Sequence, residues 1–186
     1  MILTTSRLTL RDFEAGDWES MLRVEGDPEA VRYQSYEPRT EAECRAYLAR
    51  DFASREKARS CFDLAVTLTE SAQPARLIGR VGLDVKRPER RVGELWFILE
   101  RASWGQGLMP EAVRCMVDFG FGEQSLHRIF LECDPRNVGA IRLSEKLGMK
   151  REGHLREHVA IKGEWCDAVL FGLLAREWPG IRGVSP

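Results

Sequence analysis

The chain lacks the features that mark several common protein classes. Its five cysteines (Cys44, Cys61, Cys115, Cys133 and Cys166) are odd in number, scattered, and form no Cys-x-x-Cys pair. Its three histidines have no metal-ligand spacing beside them. A disulfide framework and a structural zinc site are therefore not expected, and the expected metal content is none. No apolar run approaches the roughly 18 residues that suggest a membrane span. The opening MILTTSRLTLRDF is too short and too polar for a secretory leader. Positive charge is not in surplus either: the formal net charge is −1, so no overall field draws nucleic acid. Long linkers, low-complexity tracts and internal repeats are missing. The expectation is one domain over residues 1–186, in a reducing, cytoplasmic compartment, with no nucleic-acid and no membrane partner.

What is present is an ordinary globular composition, 44% hydrophobic and 31% charged over 186 residues, enough for a sizeable core. LTTSRLTLRDF alternates as one strand. GDWESMLRVEGD reads as a short helix ending at Gly26. In RTEAECRAYLARDFASREK, Thr40 precedes Glu43 by the capping-box interval and starts a charged helix. Three strands follow, CFDLAVTLTE, RLIGRVGLDV and VGELWFILE, separated by a turn at ESAQPA and a hairpin loop at KRPERR. Met109, Ala112, Val113, Met116, Val117 and Gly120 then form one apolar helical stripe. HRIFLECD is a strand, and NVGAIRLSEKLGM a helix stopped by Gly148. KREGHLREHVAI and EWCDAVLFGLLAREW close the chain as a hairpin turning at Lys162-Gly163. This order predicts an α/β fold with a partly antiparallel sheet and one β-α-β crossover.

That crossover carries ERASWGQGLMPEA, residues 100–112. A strand, then Gly105-Gln106-Gly107, then a helix is an arrangement suited to phosphate. The first helix amides lack intrahelical partners, and glycine lets a ligand approach them. Pro110 fits the first helical turn, where its missing N–H is not needed. Met109-Pro110-Glu111 cannot supply the lysine of a Walker A loop. Pro110 also occupies the third-glycine position of a dinucleotide fingerprint. Glu132, as a ribose-binding acid, keeps a dinucleotide-binding oxidoreductase open as an alternative. A ligand-free strand-to-helix turn is the other alternative.

The stretches VGELWFILERASWGQGLMPEAVRCMVDFGF, LHRIFLECDPRNVGAIRLSEKLGMKREG and KGEWCDAVLFGLLAREW resemble the GNAT superfamily of acyl-CoA-dependent N-acyltransferases. With the opening TTSRLTLRDFEAGD they are similar to its RimJ/RimL-type ribosomal-protein acetyltransferases. The resemblance implies a mixed, mostly antiparallel, twisted sheet that splays at the cofactor strand. It implies acetyl-CoA as co-substrate and an amine acceptor, either a ribosomal or other protein N-terminus or a small molecule, attacked directly in a ternary complex. It implies that the loop Trp104, Gly105, Gln106, Gly107, Leu108 and Met109 wraps the pyrophosphate. The pantetheine arm would pair with backbone groups of Phe97, Ile98 and Leu99, and Asn137 and Ile141 would lie beside it. Arg101, Arg136 and Arg142 are candidate partners for CoA phosphates. Two positions depart from the family pattern. Ala102 stands where a polar residue is usual, and Ser144 where relatives carry the tyrosine that protonates the departing thiolate. A CoA-binding module without catalysis is therefore a further alternative.

Amine attack needs a proton acceptor. Glu94, at the start of the cofactor strand, is the candidate base, and Ser144 the candidate for the acid role. His154, Glu157 and His158 line the penultimate strand. Cys133 and Cys166 raise a covalent route that an already activated thioester does not need. Tyr33, Tyr36, Trp165 and Asp167 are the candidate substrate-binding residues, from YQSYEPRTEAE and the last hairpin. A homodimer is left open.

Overall fold

The structure is a computed structural model that describes residues 1–55, 59–70 and 75–181. Most of the expected turn at ESAQPA and the last two residues of the expected second helix (56–57) lie outside them. Eight strands form one sheet: β1 (Ile2–Thr4), β2 (Leu8–Arg11), β3 (Cys61–Leu68), β4 (Leu77–Arg87), β5 (Val92–Leu99), β6 (Arg128–Cys133), β7 (Lys150–Ile161) and β8 (Glu164–Leu174). Their spatial order is β1-β2-β3-β4-β5-β6-β8-β7, antiparallel throughout except between β5 and β6.

The expected single first strand is two. β1 and β2 pair antiparallel, Ile2 opposite Arg11, about a turn in which Leu8 N–H donates to the Thr5 hydroxyl. The turn falls in the polar run Thr4-Thr5-Ser6-Arg7, which carries no glycine or proline to mark it.

Four helices cover the sheet: α1 (Trp18–Glu25), α2 (Glu41–Ser54), α3 (Leu108–Gly122) and α4 (Val138–Lys146). The Thr40–Glu43 capping box forms in both directions at the start of α2. Met21, Val24 and Leu48 of α1 and α2 pack with Ala65, Leu77 and Ile98 on one face. On the other, the α3 stripe joins Leu64, Leu83, Leu95 and Ile129, and Leu143 of α4 and Leu147 just after it join the same cluster. Side chains this well buried each contribute about 1.5–3 kcal/mol, so α3 is held by its stripe more than by helix propensity.

Gly120 sets how closely α3 approaches. A Cβ there would meet both Leu83 of β4 and Ile129 of β6 at 2.8 Å. The helix thus rests across the boundary between the antiparallel and parallel parts of the sheet. α4 ends at Gly148 (φ +79°), and β7 turns into β8 through Lys162 (φ +52°) and Gly163 (φ +79°).

Candidate active site

The parallel ladder between β5 and β6 consists of Val92–Arg128, Gly93–Ile129 and Glu94–Phe130. β5 then runs on to Leu99, still paired with β4 as far as Gly79, while β6 follows β8 to the Cys133–Val169 pair. The sheet therefore parts after Glu94.

Alternation decides which backbone groups line the parting. Glu100 N–H donates to Ile78 O, so even-numbered residues of β5 bond toward β4. The carbonyls of Phe97 and Leu99 point the other way, accepting from Gln34 Nε2 (3.2 Å) and Trp104 Nε1 (2.9 Å). This corrects the expectation for Ile98. Its backbone faces Arg80 of β4, and its side chain is buried under α1 and α2, because three consecutive strand residues cannot share one edge.

Beyond Leu99 the chain enters the glycine turn. Gly105 (φ +75°) and Gly107 (φ +73°) both adopt the left-handed conformation that glycine alone takes without strain. Gly107 is the N-cap of α3 and brings no side chain to cap it. Gln106 Nε2 donates to the Ala102 carbonyl (2.9 Å), closing the turn on itself. Arg7 secures it from outside, donating to the carbonyls of Gln106 (3.0 Å) and Gly107 (3.2 Å) and, through Nε, to Glu111 (2.7 Å). Burial opposes ionisation of Glu111, but the Thr5 hydroxyl, Arg7 and Ser6 together hold its carboxyl below the usual range. Leu108 and Met109 of the first helical turn are buried, whereas Trp104 is about half exposed.

In α4, Asn137 is the N-cap, its Oδ1 accepting from Ala140 N–H (3.0 Å). Ile141 packs at the edge of the main core. Ser144 is fully buried and donates its hydroxyl to the Ala140 carbonyl (3.0 Å), so its proton is engaged within the helix. Glu94 stands at the last parallel pair, opposite Asp84 of β4. Alternation with buried Leu95 and Ile98 puts its half-buried side chain on the face carrying α1 and α2.

That face holds a buried charged cluster which periodicity did not reveal. Arg80 meets Glu25 (2.6 Å) and Asp63 (3.4 Å), and Arg39 meets Glu25 (2.5 Å). Tyr47 donates its hydroxyl to Asp63. Burial pushes the Asp63 carboxyl up to about 6 and raises the Tyr36 phenol. Arg39 covers the Tyr36 ring at 4.4 Å, and Arg80 the Trp96 ring at 4.8 Å. Tyr36 thus belongs to this cluster and fixes the base of the segment between α1 and α2.

Tyr33, from the same segment, lines a cleft of about 260 Å³ with Asp134, Arg136, Lys162 and Cys166. Lys162 Nζ donates to Val31 O (2.9 Å), docking the β7–β8 turn on this segment. Trp165 is 68% exposed. Asp167 accepts from Glu157 N–H (2.9 Å) and lies 2.7 Å from His154 Nε2, anchoring the register shift in β7. His158 Nε2 lies 3.5 Å from Glu132.

The arginines considered for phosphate differ in their surroundings. Arg136 grips Asp134 with two nitrogens, Arg101 pairs with Asp27 (3.2 Å), and Arg142 is exposed. Burial pushes the Cys133 thiol up to about 11, so it is not poised as a thiolate, and Cys166 is buried. Arg7, Glu111 and Gln34 were not anticipated. Their contacts span 63 to 104 residues of sequence and leave no local signal. Among the described residues, no group of three His, Cys, Asp or Glu could hold a metal ion, and no helix is long and apolar enough to cross a membrane.

The description "Acetyltransferase (GNAT) domain" matches residues 7–150. The chain is 33% identical over 184 residues to the "Uncharacterized N-acetyltransferase p20" of Bacillus licheniformis, covering 96% of this chain and 98% of that one. It is 35% identical over 77 residues to the "[Ribosomal protein uS5]-alanine N-acetyltransferase" of Escherichia coli, covering 41% and 40%. Among solved structures, the spermidine N-acetyltransferase from Vibrio cholerae in complex with CoA and spermine superposes with a TM-score of 0.78. That match has 25% identity over 93% of this chain and 98% of that one.

Proposed function

The chain belongs to the GNAT acetyltransferase family and is therefore an acyltransferase, and from that premise we propose that it moves acetyl from acetyl-CoA to a primary amine by direct attack in a ternary complex. One observation carries this reading. β5 loses its parallel partner after Glu94, turns the Phe97 and Leu99 carbonyls toward the parting, where only side chains meet them, and leads into Gly105 and Gly107 at an uncapped helix start. An edge of this kind pairs with an amide-bearing chain. A helix start of this kind receives phosphate.

Acetyl-CoA supplies an acetyl group already activated as a thioester. Phe97 and Leu99 would align its arm, and Gly105 to Met109 would hold its pyrophosphate, with Arg7 keeping the turn in shape. Asn137 and Ile141 would border the arm from α4. Transfer forms a C–N bond and breaks a C–S bond. The amine gives up a proton, which Glu94 on the α1–α2 face accepts directly or through water. We assign Ser144 to packing, not to proton donation, because Ala140 already holds its hydroxyl. A thiol near pKa 8.5 needs no strong acid to leave.

The acceptor enters on the Tyr33 side, beside the β7–β8 turn. The dinucleotide alternative gives way here, since family membership replaces it and Glu132 faces His158. The finer RimJ/RimL-type assignment rests on the partial match to the uS5-alanine enzyme. A small polyamine is the other acceptor class, supported by the spermidine-enzyme likeness. The test is a thermal-shift series with acetyl-CoA, CoA and NAD, then CoA release across ribosomal-protein N-terminal peptides and polyamines. Acetyl-CoA stabilises the chain and one acceptor class releases CoA. Stabilisation by NAD alone overturns the reading. Acetyl-CoA binding without CoA release on any amine marks a module without catalysis.

A further inference from the structure

Both carbonyls facing the parting already have donors, and these come from different places. Trp104, on Leu99, is only five residues along the chain, whereas Gln34, on Phe97, is 63 residues away, in the segment between α1 and α2. A free strand edge seeks a pairing partner. A glutamine carboxamide is the side chain nearest in chemistry to a peptide N–H, so Gln34 satisfies Phe97 as a neighbouring strand would. Among the described residues, the backbone leading to Gln34 is held by short-range bonds, Val31 N–H donating to Asp27 O (3.1 Å) and Arg32 N–H to Glu29 O (3.4 Å). Gln34 N–H donates to Val31 O (2.8 Å), and Lys162 Nζ donates to the same oxygen (2.9 Å). The ends of the segment are firmer: Arg39 is tied to Glu25 by backbone and side chain, and Asp27 to Arg101.

We propose that Gln34 is a displaceable stand-in for the amide-bearing arm of acetyl-CoA. The arm takes the Phe97 carbonyl, the Gln34 carboxamide is released, and residues 32–35, between buried Val31 and half-buried Tyr36, are freed to close around the acceptor. This rests on the reading of the β5 edge as the acetyl-CoA site. Gln34 is then a positioning residue that couples one substrate's site to the other's.

The experiment measures acetyl-CoA binding to the full chain by calorimetry for the wild type, Gln34→Met and Gln34→Ala. It adds hydrogen exchange on peptides covering residues 32–35. Removing the competing donor tightens acetyl-CoA by about threefold or more, the worth of one net hydrogen bond. In the wild type, acetyl-CoA speeds exchange at 32–35. In Gln34→Met, exchange there is fast from the start and does not respond. A residue that merely supported the fold would instead weaken binding when replaced. Equal or weaker binding by both variants, or slower exchange at 32–35 when acetyl-CoA binds, overturns the proposal while leaving the acetyl-CoA site standing. A wild-type chain that binds no acetyl-CoA overturns both.

Discussion

The two sides of the parting are made of different material. The side proposed for acetyl-CoA is backbone: the carbonyls of Phe97 and Leu99, two left-handed glycines, and the open start of α3. The α1–α2 side is side chains: Glu25, Arg39, Asp63 and Arg80 in one buried charged cluster, with Tyr36 and Tyr47 against it. The difference shows where substitution is tolerated. At Ala102 a polar side chain is usual, yet here the turn uses only that residue's carbonyl, which accepts from Gln106. A site written in backbone survives such a change. A cluster of complementary charges does not.

The comparison is broken most severely by Arg80→Met. It leaves Glu25 and Asp63 buried without their main counter-charge. The expected loss is about 3–5 kcal/mol of stability in denaturant unfolding. Glu94→Gln asks whether the α1–α2 face also carries the chemistry. If Glu94 is the base, kcat falls roughly 100-fold at neutral pH while acetyl-CoA affinity stays at the wild-type value. Gly107→Val tests the backbone side. A branched residue at φ +73° carries about 1–2 kcal/mol of strain, so acetyl-CoA binding weakens roughly tenfold in calorimetry. Most of the folded stability is retained, in contrast to Arg80→Met. Ser144→Ala is the mildest. Losing one intrahelical hydrogen bond costs about 1 kcal/mol, and turnover stays within about twofold of wild type. A larger fall in turnover would return Ser144 to the chemistry.

How far the sequence could be read follows the same division. The Thr40–Glu43 cap, the α3 stripe from Met109 to Gly120, the stop at Gly148 and the Lys162-Gly163 turn each depend on residues a few positions apart. They were legible because propensity and periodicity are local. The Gly105–Gly107 turn was legible because glycine marks unusual backbone. The parting of β5 from β6 is not written locally, and it entered through family resemblance. Strand alternation alone could have removed Ile98 from the edge. Nothing local could have joined Arg7 to Glu111, Gln34 to Phe97, or Glu25 to Arg80, since each pair meets only after the chain has folded. Tyr36 illustrates the limit. An aromatic residue in the segment between α1 and α2 suits a substrate pocket, and only the assembled cluster shows its ring stacked under Arg39.

The close seating of α3 at Gly120 reaches further than helix packing. With so few residue pairs joining β5 to β6, the gap between the two halves of the sheet is gauged by Leu83 and Ile129 against the helix. Apolar contact weakens on cooling and yields to hydrostatic pressure. The aperture of the cleft is therefore expected to respond to cold and compression before the antiparallel ladders on either side do, which cleft-width distances measured under pressure would check.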